Sequence, residues 1–507
     1  MINPVGPNRP TVNIPAPVKI NEPSDKSIDA GYVIGEAVRI LEEIGLQVEN
    51  KEVVSLLHAA GAKVNGKKVY LPGALIEQAL KTAPSQVLVY DRNGKPVMDL
   101  SGNNTYFTPG SAATQILDPK SGTARPPTTA DLRAFAQLID ALPRYAAQST
   151  GLVSGDVPEG IADSYRLYIA LLNSSKPIVT GTFRKESFAV MHNMLAIVAG
   201  GKDKLREKPL AIFDCCLSSP LKLGDDQAQS LIDCARAGIP AEIISAPLAG
   251  ATAPATFADT VIQHCAENLG GLVIHQLAAP GAPVIYGGCG MNFDMRSAMP
   301  SSGAAETMLI QGACAKVGKY LGLPTHGYMG LSDSKFVNYR AGVETAVGLI
   351  VATQSGINNI AGPGMLSHIN CQSLEKLVLD HEACRMSDRL KSGIVLRDDP
   401  SLTLSVIRDG IEQGGFMSLP HTLKWYQKEA FFPSGVIDRT VGNEWQAAGE
   451  NNTQQSTPDC VQALLASHKP EPLPEHIVAS LTECMEQAAQ SLVPPASLKK
   501  IVEHTVN

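Results

Sequence analysis

No two cysteines in this chain are spaced C-x-x-C, and of ten cysteines only Cys215 and Cys216 are adjacent. Scattered this way, they read as reduced core thiols rather than as a disulfide framework or a metal cluster. There is no Lys/Arg cluster, and the formal net charge is −7, which argues against a nucleic-acid footprint. No apolar run reaches the roughly 18 residues of a membrane span. The longest candidate, Val261–Ala279, is interrupted by His264, Glu267 and His275. Met1–Ser24 is rich in Pro and Asn without an apolar centre, so neither a signal peptide nor an anchor is expected, and the chain reads as cytoplasmic. Also missing are G-x-G-x-x-G and G-x-x-x-x-G-K-[ST], which removes the common nucleotide loops. Without G-x-S-x-G or H-E-x-x-H there is no hydrolase elbow and no zinc-protease helix.

What is present is an alternation of strands and helices. Between Pro209 and Gly364, five apolar runs of strand length are each followed by a loop and a helix-length segment. They are Leu210–Asp214, Ala241–Ser245, Pro283–Gly287, Pro324–Tyr328 and Ile357–Ala361. Three weaker units precede them: Tyr106–Pro109, Ala146–Gly151 and Pro177–Gly181. Strands alternating with helices imply parallel pairing through crossover helices. Eight such units predict a (β/α)8 TIM barrel, for which about 250 residues suffice. The barrel is placed at residues 103–393, after an N-terminal helical and β-rich extension (1–102) and before a C-terminal helical extension (394–507).

In the first extension, Ala30–Leu46 has apolar residues at helical spacing, and Gln86–Leu100 reads as a hairpin turning at Asp91-Arg-Asn-Gly94. Thr128-Thr-Ala-Asp131 is a capping-box-like helix start. The long apolar segment Ala255–Leu277 predicts a helix buried on most sides. Gly442–Pro458 is polar and reads as a surface loop, and Pro474–Leu492 as a terminal helix.

A barrel would gather the strand ends into one ring. Its members are Phe107, Gln148, Phe213, Asp214, Glu242, Tyr286, Phe293, His326, Tyr328, Asp333, Ser334 and His368. Carboxylates and aromatics around an apolar mouth suit a quaternary ammonium ion held by cation–π contacts. Each also has a plain structural reading. Glu242 could be a charge paired within the barrel, His326 a hydrogen-bonded structural histidine, Asp333 the cap of a helix starting near Val337, and Tyr286 and Phe213 core fillers. The glycine runs Tyr286-Gly-Gly-Cys-Gly290 and Ala361-Gly-Pro-Gly364 would permit close backbone approach by a ligand.

Several stretches carry a family resemblance: Ile116–Pro126, Ser219-Pro-Leu-Lys-Leu223, Pro247–Pro254, Ala266-Glu-Asn-Leu269 and His275-Gln-Leu277. Pro280–Ile285, Asp294-Met-Arg296, Gly330-Leu-Ser-Asp-Ser-Lys335 and His421-Thr-Leu423 complete the set. Together they resemble the trimethylamine:corrinoid methyltransferase family, in its branch without pyrrolysine that includes glycine betaine methyltransferases. The resemblance implies transfer of a methyl group from a quaternary amine, glycine betaine or a related betaine, to the Co(I) of a cobamide on a partner corrinoid protein. It places pyrrolysine, where the family has it, at Ser334; because the strand ends offer no C-x-x-C, no H-x-C and no clustered histidines, no tightly bound metal is expected. On this reading Ser334, Asp333, His326 and Glu242 are the catalytic candidates. Phe107, Gln148, Phe213, Asp214, Tyr286, Phe293, Tyr328 and His368 would line the substrate site. A homo-oligomer is expected on general grounds. Two alternatives stay open: a zinc-dependent methyltransferase of the same fold, and a non-catalytic betaine-binding protein.

Overall fold

The computed structural model describes residues 28–396, 400–447 and 453–493. The expectation for Met1–Ser24 lies outside these residues. The fold is mixed α/β. Its parallel strands in chain order are β1 (Tyr106–Phe107), β2 (Gln148–Ser149), β3 (Ile178–Thr180), β4 (Ala211–Leu217), β5 (Ala241–Ser245), β6 (Val284–Gly288), β7 (His326–Tyr328) and β8 (Asn359–Ala361). Strands β6-β5-β4-β3-β2 form a five-stranded sheet and β7-β8-β1 a three-stranded one. Single parallel bridges, Phe107 to Tyr145 and Tyr286 to Thr325, join the sheets at both junctions. Each strand falls within or beside its sequence-predicted run, because Pro and Gly punctuate the runs on both sides.

The extensions define which end of the strands is open. The hairpin Val87–Tyr90/Pro96–Leu100 turns where Asp91 Oδ1 accepts from the Asn93 and Lys95 N–H groups, both at 2.9 Å. Its Val87, Val89, Met98 and Leu100 pack against Ala147, Val179, Ile212 and Ile285, which plugs the inner face at the strand N-terminal ends. Polar residues can therefore collect only toward the C-terminal ends. The capping box at Thr128 forms, with the Thr128 N–H donating to Asp131 Oδ2 at 2.8 Å. Arg125 bridges that carboxylate (2.7 Å) to Asp118 (3.1 Å), which orders the stretch Ile116–Pro126.

The helix Phe257–Ala278 is buried from Thr260 to Gln276. Its outer side is covered by the helices Ala30–Glu43 and Gly73–Thr82, so it has no solvent face and needs no polar stripe. Leu46 fills the space left by Gly270, whose added Cβ would lie 2.2 Å from Leu46 Cδ1. Leu46→Ala is expected to cost about 2–5 kcal/mol, read from chemical denaturation, because Leu46 is fully buried against the buried helix.

The terminal helix Glu475–Leu492 packs against the helix Lys185–Ala199, and Thr482 Oγ1 meets Tyr168 OH at 3.0 Å. Gly442–Pro458 departs from expectation. Gly442–Ala447 is helical, and Thr453–Ser467 is a helix containing Pro458. Residues 442–444 are exposed as expected, but Thr457 is buried, so polar composition told neither the conformation nor the burial of the whole segment. Among the described residues no helix is long and apolar enough to cross a membrane.

Candidate active site

In-register pairing of β4 with β5 sets Asp214 beside Glu242 on the face turned away from the helices, above the hairpin plug. Glu242 is fully buried, and its Oε1 accepts from Asn359 Nδ2 at 2.7 Å. The Asn359 carbonyl oxygen accepts from Thr108 Oγ1 at 3.0 Å, which commits the amide N–H group to Glu242. Burial raises both carboxyls, Asp214 to about 6 and Glu242 well above the ordinary range, the latter further raised by the Asp214 charge. Asp214 Oδ1 and Glu242 Oε2 are buried without a hydrogen-bond partner, so a proton on Glu242 would have Asp214 as its neighbouring acceptor. At neutral pH the pair holds one negative charge, on Asp214, with Glu242 as donor.

His326 stands across from the pair, its Nε2 3.9 Å from Glu242 Oε2 and its Nδ1 without a partner. Burial lowers it to about 3, so the imidazole is neutral. Gly287 makes room for it, since a Cβ there would lie 3.2 Å from His326 Nδ1. Tyr328 packs edge-on against His326 with ring centroids 5.5 Å apart, and its hydroxyl accepts the Ser111 N–H at 2.9 Å. Cys216 continues the Asp214 side of β4 and is solvent-accessible, while Asp214 and Tyr328 stay partly accessible. Their accessibility marks a recess among these side chains, on the side of the strands away from the hairpin plug. Desolvation by the surrounding protein, helped by the Asp214 charge, raises the Cys216 thiol, and burial raises Cys289 to about 12, so both are thiols at neutral pH.

Of the expected site residues, the structure brings together Asp214, Glu242, His326 and Tyr328. Phe107, Gln148, Phe213 and Tyr286 lie on the opposite side of their strands, because alternate strand residues face opposite ways. Phe213 packs on Phe188 (centroids 5.4 Å), and Gln148 donates to Ala136 O at 2.7 Å. Tyr286 OH meets His264 Nδ1 at 3.2 Å, and Phe107 lies under Arg144 at 5.8 Å. These four are packing residues between strands and helices. Phe293 is half-buried on the hairpin Met291–Asp294/Met299–Ser301 that follows β6.

The loop candidates hold loops together. Asp333 accepts from the Ser302 and Gly303 N–H groups, each at 3.1 Å, and lies 3.0 Å from His368 Nδ1. It does not cap the next helix, Tyr339–Gln354, whose N-cap is Asn338. Ser334 Oγ donates within its own loop, to Phe336 O (2.9 Å) or Asn338 Oδ1 (3.0 Å). His368 Nδ1 also lies 2.8 Å from Pro300 O, at the centre of Ser367–Ile369, three non-glycine residues in a row with positive φ. Such strain persists only where its surroundings over-determine it.

Sequence reasoning passed over three groups. Asn359 orients Glu242, and its signal was the polar pair Asn358-Asn359 inside an apolar strand. Glu267 is a buried carboxylate accepting from Ser219 Oγ (2.7 Å), the Leu221 N–H (2.9 Å), Ser245 Oγ (2.5 Å) and Gln263 Nε2 (3.0 Å). It ties the loops after β4 and β5 to the buried helix. The third is Arg166, buried beside the acid pair. Among the described residues no group of three or more His, Cys, Asp or Glu side chains is placed to hold a metal ion.

A mixed α/β protein with two carboxyl groups paired across adjacent parallel strands, inside the strands rather than on the surface, has the frame of an enzyme. The family model for trimethylamine methyltransferase (MTTB) matches residues 21–492, and the chain belongs to that family. It is 31% identical over 452 residues to trimethylamine methyltransferase MttB of Desulfitobacterium hafniense (strain DSM 10664 / DCB-2), covering 89% of this chain and 90% of that one. To glycine betaine methyltransferase of Desulfitobacterium hafniense (strain Y51) it is 32% identical over 457 residues, covering 90% and 95%. Among solved structures, monomethylamine methyltransferase (MtmB) of Methanosarcina barkeri aligns with a TM-score of 0.48 at 12% identity, over 90% of this chain and 94% of that one.

Proposed function

We propose that this protein transfers a methyl group from a quaternary amine to the reduced corrinoid of a partner protein, and that its eight parallel strands close a (β/α)8 barrel within residues 103–393. The two bridges joining the sheets at both junctions support closure. The functional reading is carried by one arrangement: Asp214 paired in register with the buried Glu242, near the partly accessible Tyr328 and a His326 that burial keeps neutral.

The chemistry fits those groups. A quaternary ammonium ion is already positive, and its departing tertiary amine leaves neutral, so no general acid is required. Asp214 and the Tyr328 ring would hold the cation, while apolar walls and Cys216 strip its water. A reduced corrinoid on the partner supplies the nucleophile, and the chain's own task is orientation toward the open end. Phe183, Met295 and Phe336, exposed on loops after β3, β6 and β7, and Tyr339, exposed at the start of the helix that follows β7, give a partner an apolar rim to cover. Ser334, where the family resemblance would place pyrrolysine, is engaged in its own loop. Nothing there would present a neutral tertiary amine, which favours a betaine over trimethylamine.

The test is a substrate comparison with the corrinoid protein held at cobalt(I). Loss of the cobalt(I) absorbance is expected with glycine betaine or a related betaine, with none from trimethylamine, and should survive treatment with a strong chelator. Methylation by trimethylamine alone would reverse the substrate assignment. Betaine binding without transfer would favour a binding protein, and activity restored only by zinc would favour the zinc reading.

A further inference from the structure

Arg166 comes from the helix Ala162–Asn173 rather than from a strand end, and its guanidinium is buried at the edge of the recess. Nη1 donates to Thr150 O at 2.8 Å and Nη2 to Gly181 O at 3.2 Å, the carbonyls just beyond β2 and β3. One face lies on the Phe183 ring, 4.3 Å from its centroid. The group is therefore fixed in position, yet its Nε–H has no acceptor. Among the described residues no carboxylate forms an ion pair with it. Asp163 and Asp214 act on it only at longer range, and burial outweighs them, lowering it to about 10. A buried cation without an ion-pair partner is costly, and it is retained where something else completes its shell.

The recess shows where that partner would sit. A Cβ on Gly181, whose carbonyl holds Arg166, would lie 3.4 Å from Asp214 Cβ. The Arg166 guanidinium and the Asp214 carboxylate are near enough to act on each other, yet among the described residues no ion pair joins them. That arrangement is complementary to a small zwitterion whose cationic and anionic ends are joined by a short linker.

We infer that Arg166 is the anion anchor of the site, binding the carboxylate of a zwitterionic quaternary amine while Asp214 faces its ammonium group. This rests on the quaternary-amine reading and narrows it to betaines with the carboxylate close to the nitrogen. Arg166 would give such a carboxylate an N–H that nothing else accepts, on a plane that Phe183 keeps from rotating. Choline and tetramethylammonium, which lack the carboxylate, would gain nothing from it.

The test is direct binding by titration calorimetry to the isolated full-length protein, without the corrinoid partner, using glycine betaine, choline and tetramethylammonium. For Arg166→Lys and Arg166→Met, the glycine betaine Kd is expected to rise about a hundredfold, the scale of a lost charge-assisted contact, while tetramethylammonium stays within threefold. Phe183→Leu, at a partly exposed position, provides the same comparison should the buried substitutions fail to fold; about a tenfold loss for glycine betaine alone is expected. Equal losses for all three ligands would make Arg166 a structural residue and overturn the assignment, as would unchanged betaine binding. A wild-type protein that binds none of the three would remove the quaternary-amine reading itself, and the anchor with it.

Discussion

Asparagine in place of Asp214 is expected to lower kcat/KM for the quaternary amine at least a hundredfold at pH 8, with no loss of folded stability. The substitution keeps the size of the side chain and a partner for Glu242, but removes the one negative charge the acid pair holds. Losing a desolvated charge opposite a bound cation costs about 2–5 kcal/mol, which sets the size of the effect. Stability should move the other way. The folded-state carboxyl sits near 6, above its unfolded value, so its contribution to stability is fullest in acid and is lost as pH rises through about 6. A permanently neutral asparagine avoids that loss and should melt at the wild-type temperature or above it at pH 8. Activity within threefold of wild type would show that the cation sits elsewhere.

The same group sets a pH dependence. Glu242 stays protonated, His326 stays neutral with its value near 3, Tyr328 is raised, and Arg166 at about 10 stays charged. Between pH 5 and 8, Asp214 is the one member of the cluster that changes charge. Affinity of the wild-type protein for glycine betaine is expected to fall as pH drops through about 6, by up to tenfold per unit, because protonation discharges the group facing the cation. The Asp214→Asn titration should be flat over that range. Parallel slopes in the two proteins would assign the dependence to another group.

The alternation of strands and helices was legible because each buried strand is a short apolar run between Pro or Gly residues, and Ala241–Ser245 agrees to the residue. Which side of each strand faces the recess was not legible. These strands are covered on both faces, so they lack the apolar–polar alternation that would assign a side. Phe107, Gln148, Phe213 and Tyr286 therefore read as mouth residues although they pack on helices. Asp214 and Glu242 stood out because a carboxylate inside an apolar run needs a reason. Arg166 was hidden by the opposite circumstance. It sits in a helix, where arginine is ordinary, and only the burial of that helix from Ala162 to Leu171 makes it unusual. The family resemblance pointed to the loop containing Ser334, but not to what that serine holds.

The glycine run at the end of β6 also has a meaning different from the one its composition suggests, and Gly288→Ala exposes it. A ligand-approach role would make alanine a problem for binding alone. Here a Cβ on Gly288 would lie 2.0 Å from His264 Nε2 and 2.7 Å from Ser245 O, so the space is already taken by the protein. His264 has little freedom to yield. Its Nδ1 meets Tyr286 OH at 3.2 Å, its Nε2 lies 3.4 Å from Asn268 Nδ2, and it sits on the helix that is buried from Thr260 to Gln276. Ser245 O belongs to β5 and accepts the Cys289 N–H at 2.8 Å, so moving it opens the end of the sheet beside the acid pair. Overpacking of this kind costs about 1–3 kcal/mol where one side chain can shift, and more where a strand must follow. Gly288→Ala is accordingly expected to cost about 3 kcal/mol or more in chemical denaturation, or to give insoluble protein. Adding His264→Ala should recover part of that loss, a coupling that a double-mutant cycle would measure. If Gly288→Ala instead unfolds like wild type and only weakens betaine binding, the glycine serves the ligand after all, and His264 is free to move.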